Sequence, residues 1–236
     1  MARGGNGKEF AEAVAAYESA VKPFDQKLYP VEWAAIQYDI ATNLANLGIH
    51  EIDSQHLRDA VAILNDVLLV RTRGRMPHES AMTQVALGEA FEQLGEREPG
   101  SSYFADAVTA EKSALEVLQP NNDPSAWALA QSDLGVALSG VALRDDSIDE
   151  FEQAIAAMRA GATDEFRQRD PISWLRVQGV LVMNLEQLDQ LEWRQESVDE
   201  NNSNALDSSA QEHLEEAVAT ARASLEEASK DGPRST

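Results

Sequence analysis

A 47-residue period runs through this 236-residue chain. Pro30, Pro77, Pro124 and Pro171 stand 47 residues apart, and Gln37, Gln84, Gln131 and Gln178 follow at the same interval. Trp33, Trp127 and Trp174 share the register, with Ser80 in the second copy. A second series confirms it: Phe10, Leu57, Phe104 and Phe151 each open one hexad, read as FAEAVA, LRDAVA, FADAVT and FEQAIA. A period of this length constrains the fold to supersecondary units stacked on their neighbours, because one such unit cannot bury its apolar face alone.

Within each unit the apolar residues recur at helical spacing. Phe10, Ala13, Val14, Tyr17 and Val21 form one stripe, and Ile36, Ile40, Ala41, Leu44 and Leu47 form another. Proline at the start of each longer helix suits a first turn, where its missing N–H costs nothing. Asp123 before Pro124 reads as an N-cap. Gly48 and Gly95 read as helix-ending residues. Arg71, Arg73 and Arg75, and later Arg167 and Arg169, read as cations ending second helices.

The expected fold is all-α, a right-handed α-solenoid of antiparallel helix pairs. Residues 1–8 read as a flexible lead-in, and one repeat domain spans 9–229. Its units are 9–28, a half-repeat with a second helix only, then 30–75, 76–122, 123–169 and 170–229. In the last unit the hexad LEEAVA starts at Leu214 rather than at position 198, so 16 residues are inserted, within an acidic stretch at 193–209. Residues 230–236 read as a flexible tail. The half-repeat is expected to leave an apolar face for an upstream segment or a second copy to cover.

Charge and composition narrow the partners. The chain carries 41 acidic and 19 basic residues, a net charge of -22. Such a surface repels phosphate backbones and anionic lipid, so neither nucleic acid nor membrane is expected, and a basic peptide or protein is favoured. Cysteine is absent, which removes thiolate chemistry and disulfides. MARGGNGKEFAEAV holds no apolar leader core, and the expected location is the cytoplasm.

No catalytic, cofactor or metal constellation emerges. GGNGK resembles a phosphate-binding loop, but Ala2 and Glu9 break its pattern and no strand precedes it. His50, His56, His78 and His213 lack metal-ligand spacing. Asp145, Asp146 and Asp149 offer weak cation binding at most. A reacting residue is needed once, whereas Trp33, Trp127 and Trp174 and Gln37, Gln84, Gln131 and Gln178 recur. They therefore read as a packing signature, each amide being expected to bond to a neighbouring helix.

These residues resemble the tetratricopeptide repeat. Leu87-Gly88 with Phe91 and Leu134-Gly135 with Leu138 match the first helix of that family, and Ala13-Tyr17-Ala20 matches the second. The repeat is 47 residues rather than the usual length of about 34, so the resemblance is to a long-repeat, bacterial-type variant. It implies a protein-interaction scaffold, not an enzyme, in which first helices line a concave groove. Polar first-helix residues outside the core stripe are then the candidate partner contacts: Tyr38, Asp39, Asn43 and Glu89, with Glu92, Ser132, Asp133 and Arg176. The alternatives are a regulatory module of a multidomain effector and a structural spacer for oligomerisation.

Overall fold

The structure, a computed structural model, describes residues 6–98, 102–169, 171–196, 215, 216, 218–220 and 222. Residues 1–5 of the lead-in, most of the insert and the tail lie outside the described residues. Among the described residues the chain is helical and has no strand.

The helices are α1 (Asn6–Val21), α2 (Pro30–Ile49), α3 (Gln55–Val70), α4 (Pro77–Arg97) and α5 (Tyr103–Leu115). They continue with α6 (Pro124–Asp145), α7 (Ile148–Gly161), α8 (Asp164–Arg169) and α9 (Pro171–Glu196). The four recurring prolines each sit at the first position of a helix. Asp123 does cap α6, since its Oδ1 accepts the Ala126 N–H at 3.0 Å. α1 starts at Asn6, inside the expected lead-in, and stops at Val21 just before Pro23. One expectation fails in the third unit. Arg167 and Arg169 do not end the second helix, which breaks at Ala162 and Thr163 and gives way to the short α8.

Contacts divide the chain into two compact units, Met1–Ala126 and Trp127–Thr236. In the first, α1 packs on α2, α2 on α3, α3 on α4 and α4 on α5, and α2 also touches α4. Its core gathers Val14, Ile40, Leu44, Leu64 and Leu87 with small residues such as Ala41 and Ala60 between them. In the second, α9 packs on α7 and α8 around Phe151, Met158, Trp174, Leu181 and Leu185. Each fully buried leucine or phenylalanine contributes about 1.5–3 kcal/mol.

The period reappears in three dimensions as two recurring contacts between a first helix and its second. A Cβ on Gly88 would lie 2.1 Å from Glu111 Oε1, and a Cβ on Gly135 would lie 2.4 Å from Met158 Cγ. Both pairs are 23 residues apart, and Ala41 and Leu64, both fully buried, hold the same places one repeat earlier. The other contact sets Gly48 against Leu57 and Gly95 against Phe104, where a Cβ on either glycine would come within 2.9 Å of the larger side chain. These two glycines are therefore not caps. α2 and α4 run past them, and their missing side chains let a second helix approach closely. The carbonyls at the α2 terminus are satisfied otherwise: Arg97 Nη2 donates to Gly48 O at 2.7 Å and to Ile49 O at 3.1 Å.

α6 is long and apolar enough to cross a membrane by length and composition, but 72% of its most apolar window is buried inside the protein. A core helix has this character.

Candidate functional site

Two surfaces of the first unit could receive a partner. One lies on the first-type helices α2 and α4. The other is a groove formed by α1, α2 and α3.

On the first surface Tyr38 is half-buried, and the Arg71 guanidinium sits 4.6 Å from its ring centroid. Arg71 also donates to Thr83 Oγ1 of α4 at 3.3 Å. Burial, reinforced by the negative charges of Glu89 and Asp39, pushes the Tyr38 phenol above its ordinary value. Burial pulls the Arg71 guanidinium the other way, below its ordinary value. Tyr38, Asp39 and Glu89 are thus brought within electrostatic reach of one another. Asn43 stands one turn further along α2 and donates its amide to Asp39 O at 2.7 Å. Glu89 is exposed, while Asp39 and Asn43 are half-buried.

The other four candidates differ. Glu92, Ser132 and Asp133 are 3%, 0% and 1% exposed, so the expectation that they stand at the surface is corrected. Ser132 Oγ donates to Ala128 O at 2.8 Å within its own helix. Asp133 pairs with Arg176 at 3.5 Å, leaving Arg176 as the exposed member. The reason is geometric. Residues 132–139 of α6 are buried on every side, so a residue off the apolar stripe of this helix still faces protein.

The packing signature is only partly as expected. Trp174 and Gln178 are buried, whereas Trp33, Trp127, Gln37, Gln84 and Gln131 are half-buried. Among the described residues none of the four amides bonds across to another helix, and Gln178 Nε2 is buried without an acceptor. Arg71 is buried, Arg73 pairs with Glu116, and Arg167 pairs with Asp164 at 2.9 Å and lies 6.0 Å from the Trp174 ring.

The groove has no counterpart in the sequence pattern. It encloses about 1040 Å³. Val14, Ile40, Leu44 and Leu47 supply apolar lining, and Ala11 and Ala15 of α1 and Ala62 of α3 keep its walls low. Gln37 adds an amide to the lining. The rim carries Glu18, Glu51 and Asp59 against Lys8 and His56. His56 Nδ1 lies 2.5 Å from Glu51 Oε2, and Phe10 stacks on His50 with centroids 6.2 Å apart. α1 and α3 both pack on α2, and the groove is the space left between them. A hydrophobic pattern on one helix cannot reveal such a space. The exposed positions of α1 are lysine, glutamate, alanine and serine.

Among the described residues no group of three or more His, Asp or Glu side chains is placed to hold a metal ion. Asp145 is engaged by Arg144 at 2.7 Å. Compared with models of known protein families, with curated proteins and with solved structures, the chain finds no match.

Proposed function

We propose that this chain is a protein-interaction scaffold of the tetratricopeptide type, a solenoid of helix pairs whose first-helix surface binds a basic peptide or protein segment. The observation that carries the reading is the direct packing of α2 on α4. It sets successive first helices side by side, close enough for Asp39 of α2 and Glu89 of α4 to act electrostatically on Tyr38. Two carboxylates within electrostatic reach of one another suit a lysine or arginine side chain through charge pairing. The net charge of -22 favours the same class of partner. The proposed role is as one module of a bacterial cytoplasmic assembly, with no catalytic step.

Affinity capture with the full chain and with an Asp39→Lys/Glu89→Lys variant, followed by mass spectrometry, tests the reading. The variant is expected to keep its helical circular dichroism and lose the basic proteins held by the wild type. An unchanged set of captured proteins would overturn it.

A further inference from the structure

The groove between α1 and α3 lies apart from the first-helix surface, and its lining does not include Tyr38, Asp39 or Glu89. We infer that it is a second docking site, and that its occupant is an amphipathic helix with basic flanks, supplied by a partner protein.

The lining fixes the apolar half of that description. Over a buried floor of Val14, Ile40 and Leu44, the aliphatic side chains that reach its surface are those of Leu47 of α2, Ile63 and Ala62 of α3, and Ala11 and Ala15 of α1. A complementary stripe on the occupant would contact them at every turn, as in helix-in-groove recognition. The walls bear Ala11, Ala15 and Ala62, all exposed, so an entering helix meets short side chains.

Backbone hydrogen bonding selects a helix over an extended segment. An extended peptide must pair its N–H and C=O groups with the site or leave them unpaired in an apolar channel, at a cost of about 1–3 kcal/mol each. Among the described residues there is no strand edge to pair with, and Gln37 is the one side-chain amide in the lining. A helix satisfies its own backbone.

Charge sets the flanks. Glu18 and Asp59 stand on the rim, Asp59 accepting from Gln55 Nε2 at 2.8 Å, together with Glu51, which His56 already engages. Lys8, the rim's lysine, is already paired with Glu12 at 3.3 Å. Lysine or arginine beside the apolar stripe of the occupant would meet these carboxylates, and acidic flanks would be repelled.

The test uses the full chain and a fluorescent peptide of leucine and lysine, with leucine at helical 3–4 spacing. Fluorescence anisotropy is read at physiological salt. A scrambled peptide of the same composition and a leucine–glutamate peptide serve as controls. The amphipathic leucine–lysine peptide should bind at least about tenfold tighter than either control. Ala15→Trp, which fills the groove from an exposed position, should weaken it about tenfold or more, and so should Glu18→Lys/Asp59→Lys. Asp149→Lys/Glu152→Lys, a matched double charge reversal on the exposed side of α7, should change it less than about twofold. Circular dichroism confirms that each variant is folded. Equal binding of the scrambled peptide, or unaltered binding to Ala15→Trp, overturns the inference. If Asp39→Lys/Glu89→Lys abolishes binding while Ala15→Trp does not, the groove is excluded and the first-helix reading stands. If Ala15→Trp instead changes the oligomeric mass in light scattering, a second copy fills the groove and the partner helix is excluded.

Discussion

Arg71 lies across the ring of Tyr38, its guanidinium carbon 4.6 Å from the centroid, although Tyr38 sits within α2 and Arg71 just past the end of α3. One repeat later the same two places hold Leu118 and Val85, both buried and apolar. The polar pair therefore stands where the next repeat has two buried apolar residues. Arg71→Ala should lose about 1–3 kcal/mol, from lost stem packing and lost contact with the ring. Arg71→Leu, which restores the neighbouring repeat's solution, should lose less than about 1 kcal/mol. Urea denaturation of the two variants checks both.

The same pair gives a pH dependence. Burial holds the folded Tyr38 phenol above its ordinary value of 10.0. As pH rises, the unfolded chain loses this proton first. The stabilisation is therefore complete below pH 10.0 and is lost as pH climbs through the folded value. Tyr38→Phe should flatten that part of the stability–pH curve, as measured by denaturation on either side of pH about 10.

Gly135 and Gly179 are both helical glycines, and alanine should have opposite effects at them. A Cβ on Gly135 meets Met158 Cγ at 2.4 Å and Ala154 O at 3.0 Å, so backbone as well as side chain must yield. Gly135→Ala is expected to cost about 1–3 kcal/mol by overpacking. At Gly179 nothing lies within 4 Å. Gly179→Ala should stabilise by up to about 1 kcal/mol through helix propensity. Thermal melts of the two variants separate these outcomes.

Asn184 is fully buried and donates from Nδ2 to Ser139 Oγ at 2.6 Å, and Ser139 Oγ donates to Gly135 O at 2.7 Å. Asn184→Asp removes the donor and places a charge between Ser139 and Met158, neither of which can neutralise it. It should destabilise by more than about 3 kcal/mol at neutral pH, and by less in mild acid, where the carboxyl is neutral. Asn184→Ala should cost less and show no such pH dependence. Denaturation at the two pH values distinguishes them.

The helix starts were legible because proline marks a first turn by its own covalent structure, and Pro30, Pro77, Pro124 and Pro171 all occupy that place. The inward faces were legible from spacing. What a face meets was not. Gly48 and Gly95 resemble caps by position, yet their role depends on Leu57 and Phe104 arriving from another helix. Asp133 resembles a surface residue because charge usually means exposure. Its burial depends on α6 being covered all round and on Arg176 pairing with it. Arg71 likewise resembles a helix-ending cation until Tyr38 is placed beneath it. The α1–α3 groove is a space between elements, and no single stretch of sequence encodes it.

Residues that recur are assigned here to packing, and residues that differ between repeats to binding. Trp174 is 9% exposed in the core of its unit, and Glu89 is exposed on α4. Measuring melting temperature and captured partners side by side for Trp174→Ala and Glu89→Lys tests that division directly. Trp174→Ala should lower the melting temperature by about 4 °C or more and retain the partners at a temperature where it is folded. Glu89→Lys should leave the melting temperature within about 2 °C and lose them. Partner loss in folded Trp174→Ala, with full retention by Glu89→Lys, would contradict it.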